Sequence, residues 1–241
     1  MGVHLVGGGT GASAFAPFAA DVVARAAMRG SAPAEVAVVT VREAASDAHA
    51  TELAALLASA SSTEVAVRVV AVDETDVVDP QVFASADGIV VGGGLTPAYH
   101  RALAGAFGVL RAAVADGTPY LGFSAGAMIA ADRAIIGGWR IGGVAVVPEE
   151  TAEDLDEITV VEGIGLVDVA IDVHVAQWGT LGRLVAATEA GLIDGGIGID
   201  ESTVLVADAD GLRIAGEGSV WRVQPGPDGA GVLVFSDRAG A

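Results

Sequence analysis

The sequence predicts an α/β fold in which helices cover both faces of a mostly parallel, doubly wound sheet. Three observations lead to that prediction. Short runs of apolar and β-branched residues alternate along the chain with Ala-rich helical patterns. The runs are hydrophobic almost throughout, which is typical of strands that are buried on both faces. The chain has 241 residues, of which 52% are hydrophobic, and this is enough for one large domain with a buried core.

The first half of the chain supplies the predicted parallel core. Its strands are expected at Val3–Val6, Val36–Val41, Val65–Val72, Gly88–Val91 and Pro119–Phe123. Helices are expected between them at Ser13–Arg29, Glu43–Ala60, Pro97–Asp116 and Ala125–Asp132. The regular alternation of the two element types favours a parallel sheet, because a parallel pair needs a crossover connection.

The second half is predicted to add shorter, antiparallel strands. We expect a strand at Arg140–Val147, an acidic loop or short helix at Glu149–Glu157, a buried strand at Ala170–Val173 and a helix at Gln177–Glu189. Five short strands separated by Gly/Asp turns follow at Gly198–Ile199, Val204–Ala207, Leu212–Ala215, Val220–Val223 and Val232–Phe235. Such strands predict hairpins that close the edge of the sheet. No repeat or linker divides the chain, so a single domain over residues 1–241 is expected.

Composition argues against several classes of partner. The net charge is -19 with only 12 basic residues, too few for a basic patch, so neither nucleic acid nor an anionic membrane is expected to bind. The absence of cysteine excludes disulfides, thiolate metal sites and cysteine catalysis. The start of the chain resembles a strand rather than a signal peptide, and no apolar stretch approaches the roughly 20 residues of a membrane helix. A soluble cytoplasmic protein is expected, and a homodimer is left open.

The strongest chemical signal is the segment that runs from Gly122 to Ala127, with the pattern Gly-x-Ser-x-Gly around Ser124. An apolar strand precedes it and an Ala-rich helix follows, which is the context in which this pattern presents a nucleophile. The next amide, that of Ala125, lies at a helix N-terminus and can stabilise an oxyanion. The alternative is a glycine-rich turn with an N-capping serine. The strand-turn-helix context favours Ser124 as a nucleophile.

A serine nucleophile needs a base, and four histidines are available. His174 ends the apolar run before it, at the carboxyl edge where α/β sheets place their ligands. We therefore predict His174 as the base. His4 and His49 are expected to be structural or surface residues, since one lies within the first strand and the other on a helix with acidic neighbours. His100 is expected at the rim of the site.

Two glycine clusters follow strands of the predicted sheet. Gly92-Gly93-Gly94 would let a backbone amide of Gly93 or Gly94 approach a reacting oxyanion, although a tight turn alone would also use glycine. Gly7-Gly8-Gly9-Thr10-Gly11 could suggest a dinucleotide site. It lacks a clean Gly-x-Gly-x-x-Gly, and the next strand ends at Arg42 rather than at an acidic residue. The loop is therefore expected to line the same edge of the sheet as Ser124.

Taken in order, these segments resemble the cyanophycinase and peptidase E family of serine peptidases over about Val3 to Val223. The matching segments are Gly92-Gly93-Gly94, Gly122 to Ala127, Gly163 to Leu166, Asp172-Val173-His174, Leu181 to Leu184 and Gly198 to Glu201. The resemblance implies a class I glutamine amidotransferase-like fold with serine in place of cysteine. It also implies Ser124 as nucleophile, His174 as base, and hydrolysis of amide bonds next to aspartyl residues in small peptides, without metal or cofactor.

The same resemblance suggests a third catalytic group and the substrate-binding residues. Glu201 matches an acidic position of the family and is predicted to orient His174, with Asp172, Glu149 and Glu150 as alternatives. Leu95 and Thr96 stand where the family carries glutamine, and Trp178 and Thr180 stand where it carries arginine. Together with Asp172 and the retained Arg183, the residues Leu95, Thr96 and Trp178 are expected to contact substrate.

The sequence thus predicts a serine hydrolase that acts on a small peptide or amide. Because the family's arginines are mostly missing, β-aspartyl-arginine is expected to be a poor substrate, and Trp178 would suit a more apolar one. Two alternatives stay open. The chain could be an esterase or non-peptide amidase of the same fold, or a catalytically silent binding protein that kept the Ser124 turn for folding reasons.

Overall fold

Residues 2–227 and 231–239, which this computed structural model describes, form fifteen strands and seven α-helices. The strands are β1 Val3–Val6, β2 Ala34–Val41, β3 Val65–Val72, β4 Gly88–Val91, β5 Tyr120–Phe123, β6 Arg133–Gly137, β7 Arg140–Ile141, β8 Val144–Ala145, β9 Thr159–Glu162, β10 Ala170–Val173, β11 Gly196–Ile199, β12 Thr203–Asp208, β13 Gly211–Gly216, β14 Ser219–Pro225 and β15 Val232–Arg238. The helices are α1 Ala16–Arg29, α2 Ala48–Ala60, α3 Thr96–Leu103, α4 Phe107–Ala115, α5 Ala125–Met128, α6 Val175–Trp178 and α7 Leu181–Glu189.

The larger sheet has seven strands in the order β13-β12-β1-β5-β4-β2-β3. Strands β1 to β5 pair in parallel, whereas β12 runs antiparallel to both β1 and β13. The carboxyl ends of the five parallel strands therefore meet at one edge, where an open α/β sheet places its ligands. This architecture confirms the predicted α/β fold with a mostly parallel central sheet and antiparallel strands near the C-terminus.

Successive residues of the inner parallel strands are buried against different layers. In β2, Val36 and Val38 pack with α1 and α2, while Ala37 and Val39 pack with the helices of the opposite face. All four of these side chains are fully buried. Burial on both faces explains why these strands are hydrophobic without alternation, and this signal made their positions predictable from the sequence.

A second sheet of four strands, in the order β10-β11-β14-β15, departs from the prediction. Only β12 and β13 extend the edge of the main sheet, while the remaining late strands pair with one another. The sequence also missed the antiparallel pair β6 and β9. Which strands pair is decided by contacts between distant segments, and the apolar pattern of a single strand does not encode them.

Several predicted elements are shorter in the structure because glycines or turns interrupt them. The strand expected at Arg140–Val147 is a tight hairpin, since Gly142 and Gly143 take positive φ values of 58° and 79° between β7 and β8. Gly179, with φ 74°, separates α6 from α7 within the helix expected at Gln177–Glu189. The helix after Ser124 is a single turn. Within the described ranges, no helix has the length and apolarity that crossing a bilayer requires.

Candidate active site

Ser124 occupies the turn between β5 and α5 in a strained backbone conformation. Its φ is 52° and its ψ is -109°, outside the regions that residues with a side chain prefer. Two glycines leave room for this turn. A Cβ atom on Gly122 would lie 2.4 Å from the carbonyl oxygen of Gly126, and one on Gly126 would lie 2.2 Å from that of Val91. Holding such a conformation typically costs about 1–3 kcal/mol, so it is a candidate functional feature.

Ser124, His174 and Glu201 form a continuous chain of hydrogen bonds. The Ser124 Oγ lies 2.8 Å from the His174 Nε2, and the His174 Nδ1 lies 2.7 Å from the Glu201 Oε1. An ionised carboxylate can only accept a hydrogen bond, so the proton of a neutral His174 belongs on Nδ1. The lone pair of Nε2 is then free to accept the Ser124 hydroxyl proton, which is the arrangement of an activated serine.

The three residues come from two sheets that meet at the loop after β1. His174 follows β10 and Glu201 lies just beyond β11, whereas Ser124 follows β5 of the larger sheet. The loop after β1 joins them: the Gly7 carbonyl accepts from the His174 amide at 3.1 Å. A Cβ atom on Gly8 would lie 2.1 Å from the His174 Cε1, so the imidazole fills the space above this glycine. The loop therefore lies at the same edge of the sheet as Ser124 and packs against His174.

Within residues 2–227 and 231–239, His174 is the one histidine that is hydrogen-bonded to Ser124. His4 is buried in β1 and its Nε2 lies 3.2 Å from the Asp21 carboxylate. The His100 Nε2 lies 2.8 Å from the main-chain carbonyl oxygen of Glu162, at the end of β9. The geometry therefore brings together Ser124 and His174, the two residues that the sequence predicted as nucleophile and base.

Burial lowers the pKa of His174 below its usual value of 6.5, while the hydrogen bond and charge of Glu201 act in the opposite direction. His174 is thus neutral at pH 7, the state in which it can accept a proton. It becomes protonated as the pH falls through its lowered pKa, and activity should be lost in that range. The acid limb of kcat/KM is expected below pH 6.5.

Replacing Glu201 with glutamine is expected to move this acid limb to still lower pH. The substitution removes the negative charge and the charged hydrogen bond, both of which raise the pKa of His174. The plateau of kcat/KM should fall by roughly 10²–10⁴-fold, because an amide no longer fixes the proton on Nδ1. A pH profile of kcat/KM measures both effects. An acid limb that moves to higher pH, or an unchanged plateau, would contradict the role of Glu201.

The backbone amides beside Ser124 divide into bonded and unbonded donors. Within the described part of the chain, neither the Ala125 nor the Gly94 N–H has an acceptor in hydrogen-bonding distance. The Gly93 N–H, in contrast, donates to the Nε2 of His49 at 3.1 Å. Of the three amides expected at an oxyanion hole, Ala125 and Gly94 are therefore available, whereas Gly93 is engaged by a histidine that the sequence placed outside the site.

Arg183 and Asp172 lie behind the cleft, and their expected contact with substrate is corrected by the structure. Both are buried, and the guanidinium donates to the two carboxylate oxygens at 2.8 and 2.7 Å. Its remaining nitrogen donates to the Thr151 carbonyl at 2.8 Å. With its partners inside the protein, Arg183 fixes the acidic segment around Thr151 against α7. An arginine that is retained from a family motif therefore supports the site instead of lining it.

The remaining predicted substrate-binding residues are placed differently from one another. Leu95 and Trp178 line the cleft, and the Trp178 ring stacks on the His174 imidazole with centroids 3.9 Å apart. Trp178 is 46% exposed, so it is available to a ligand. Thr96 is fully buried at the start of α3, and its amide donates to the Glu153 carboxylate at 2.8 Å. Thr96 therefore shapes the wall without facing the cleft.

The cleft above Ser124 has a volume of about 730 Å³ and an acidic wall. Its carboxylates belong to Glu74, Glu149, Glu150, Glu153 and Asp154. Arg42 is the one cation among the residues that line it, and its Nε is buried without an acceptor among the described residues. Sequence reasoning missed Arg42, although its place at the end of β2 is the signal that identified His174. No group of three metal-ligating side chains occurs within residues 2–227 and 231–239.

Comparison with known sequences identifies relatives. The model of the family described as "Peptidase family S51" matches residues 43–215. A cyanophycinase from Trichormus variabilis is 37% identical over 106 residues, which are 43% of this chain and 33% of the relative. A cyanophycinase from Synechococcus elongatus is 37% identical over 119 residues, which are 48% and 34% of the two chains. The matched segment thus spans about a third of the length of these relatives.

Comparison with solved structures supports the fold. The crystal structure of a peptidase from an acI-B1 Actinobacterium superposes with a TM-score of 0.61. The superposition covers 100% of this chain and 95% of the other at 18% identity. At that identity the likeness concerns the architecture alone, and chemistry must be argued from the site.

Proposed function

We propose, from the premise that this chain belongs to peptidase family S51, a family of serine-type peptidases, that Ser124 attacks a peptide or amide carbonyl with His174 as its base. Membership of this family confirms the resemblance that the sequence motifs indicated. One observation supports the proposal above all others: the hydrogen-bonded chain from Ser124 through His174 to Glu201 starts on a strained strand-to-helix turn. A structural serine has no need of either feature.

The reaction would proceed through an acyl-enzyme. The Ser124 Oγ forms a bond to the carbonyl carbon while its proton passes to the His174 Nε2. The carbonyl oxygen becomes an oxyanion, which the free amides of Ala125 and Gly94 would stabilise. His174 then gives its proton to the leaving amine as the C–N bond breaks. Water, deprotonated by His174, hydrolyses the ester and restores the Ser124 hydroxyl.

The cleft favours a small substrate. A volume of about 730 Å³ lies within the usual range of small-ligand sites, roughly 300–1,000 Å³. We propose a short peptide or amide with an aspartyl residue next to the scissile bond. The expectation that β-aspartyl-arginine is a poor substrate stays a prediction. The ion pair between Arg183 and Asp172 supports this prediction, because it leaves Arg183 unable to bind a substrate carboxylate. The acidic wall of the cleft acts against the prediction, because it would attract the guanidinium of such a substrate.

Labelling by a fluorophosphonate tests the proposal and separates it from a silent binding protein. We expect the wild type to be modified at Ser124, as located by mass spectrometry, and Ser124→Ala to remain unlabelled with a nearly unchanged Tm. Ser85→Ala is the matched control, because Ser85 is an exposed serine that also has a positive φ, 65°. It should label like the wild type.

Equal labelling of the wild type and Ser124→Ala would refute the nucleophile. If labelling is specific for Ser124, turnover of aspartyl dipeptides, other amides and simple esters then discriminates a peptidase from an esterase. The same panel compares β-aspartyl-arginine with neutral and apolar aspartyl dipeptides.

A further inference from the structure

The loop after β4 is held from behind by two side chains that the catalytic chemistry does not use. The Gly93 N–H donates to the His49 Nε2 at 3.1 Å, and the Gly93 carbonyl accepts from the Tyr99 hydroxyl at 3.0 Å. Both polar groups of this one residue are therefore fixed. Neither His49 nor Tyr99 lines the cleft, whereas Gly93 and Gly94 do.

Planarity of the peptide bond connects Tyr99 to the oxyanion site. The Gly93 C=O and the Gly94 N–H belong to one trans peptide unit, so they point in opposite directions. Since the carbonyl is directed to the buried Tyr99 hydroxyl, the Gly94 N–H points away from that hydroxyl, and Gly94 itself lines the cleft. The loop also lies against the nucleophile, because a Cβ atom on Gly93 would be 2.8 Å from the Ser124 Cβ.

We infer that Tyr99 and His49 are positioning residues that set the direction of the Gly94 N–H, the second oxyanion donor beside the Ala125 N–H. The inference rests on the proposed function, in which these two amides stabilise the oxyanion. Preorganised donors contribute to catalysis because they need no reorientation as charge develops. A glycine loop without fixed peptide planes would lose that advantage, since glycine is the most conformationally free residue.

The protonation states of both side chains suit this role. Burial raises the pKa of Tyr99 to about 12, so its hydroxyl remains a donor throughout the neutral range. Burial also lowers the pKa of His49 below 6.5, against the opposing effect of Glu52, so the imidazole is neutral at pH 7. Its Nδ1 lies 3.3 Å from the Glu52 carboxylate, which places the proton there and leaves Nε2 to accept from Gly93. Arg42 is the other charged group that acts on His49.

Tyr99→Phe tests the inference with little change in packing. The ring that contacts Gly94 remains, while the hydroxyl is lost together with its bond to the Gly93 carbonyl and its contact with the Val41 backbone. Tyr120→Phe is the matched control. Tyr120 is equally buried, and its hydroxyl donates to the Gly126 carbonyl at 2.8 Å. The amide of that peptide unit, Ala127 N–H, is already bonded within the turn at Ser124 and donates to no substrate.

The measurement is the labelling of Ser124 by a fluorophosphonate, resolved into the reversible affinity of the probe and the first-order rate of modification. The phosphonyl oxygen occupies the position of the oxyanion, so the rate reports on its donors. We expect Tyr99→Phe to slow modification about 10- to 100-fold with unchanged affinity, a part of the loss that follows removal of a whole donor. Tyr120→Phe should lower Tm to a similar degree and leave the rate near that of the wild type.

His49 is tested by a pair of variants. His49→Gln keeps an acceptor and should retain most of the rate, whereas His49→Leu should slow modification as Tyr99→Phe does. Equal rates for Tyr99→Phe and Tyr120→Phe would overturn the role of Tyr99, and equal rates for the two His49 variants would overturn that of His49. A wild type that is not labelled at Ser124 would instead refute the proposed function itself.

Discussion

Replacing His174 with alanine is expected to lower kcat by roughly 10⁴- to 10⁶-fold. The Ser124 hydroxyl would lose the group 2.8 Å away that accepts its proton, and an un-ionised serine is a weak nucleophile. Because the nucleophile and base act as a unit, Ser124→Ala/His174→Ala should be little worse than His174→Ala alone. Turnover measured with purified variants at pH 7 determines both numbers.

His100→Ala serves as the control for this loss. His100 lies on α3 with its Nε2 bonded to the Glu162 carbonyl and is not among the residues that line the cleft, so near-full activity is expected without it. A protein that kept its activity without His174 but lost it without His100 would show that the base was wrongly assigned. Circular dichroism of both variants separates loss of activity from loss of folding.

The second large effect concerns stability. Arg183→Met should reduce the free energy of unfolding by about 3–5 kcal/mol, because it leaves the Asp172 carboxylate buried without its partner. For a chain of this size that corresponds to a fall in Tm of roughly 6–20 °C. Thermal unfolding followed by circular dichroism gives the value. If Arg183 instead bound substrate, KM would rise while Tm stayed constant.

Two further variants test whether the unpaired Asp172 carboxylate causes the loss of stability in Arg183→Met. Arg140→Met removes a surface pair whose atoms are 3.9 Å apart, and it should cost about 0–1 kcal/mol. Arg183→Met/Asp172→Leu removes the whole buried pair and should recover part of the lost stability, since no uncompensated charge remains. Similar Tm values for Arg183→Met and Arg140→Met would mean that the buried pair contributes little.

The sequence predicted best what depends on local pattern. Val3–Val6, Gly88–Val91 and Ala170–Val173 are strands with the predicted bounds, and burial on both faces makes them mostly apolar. Val65–Val72 also has the predicted bounds, although it is an edge strand that is only partly buried. The separate sheet around β10 and β11 was not foreseen. Its strands have the same apolar signal as the others, and only long-range pairing distinguishes the two sheets.

In the candidate site too, the residues with a local sequence signal could be predicted, and those positioned by long-range contacts could not. Ser124 has a local motif, and His174 and Arg42 both occupy carboxyl ends of strands, although only His174 was chosen. His49 and Tyr99 had no signal of this kind: each contacts the loop through a hydrogen bond to the backbone of Gly93, and no sequence motif marks such a partner. Arg183 gave a misleading signal, since a motif position does not reveal whether a side chain faces solvent or the core.

The contact between Gly8 and the His174 ring limits which substitutions the sequence can accept during evolution. Any residue with a side chain at position 8 would place its first carbon 2.1 Å from the imidazole Cε1, and the φ of 101° disfavours it as well. Every missense change of this glycine codon would therefore displace the His174 ring without altering any of the three residues that form the hydrogen-bonded chain. A descendant of this protein could therefore lose its activity while it keeps Ser124, His174 and Glu201. The substitution responsible would be at position 8, where the present residue has no side chain.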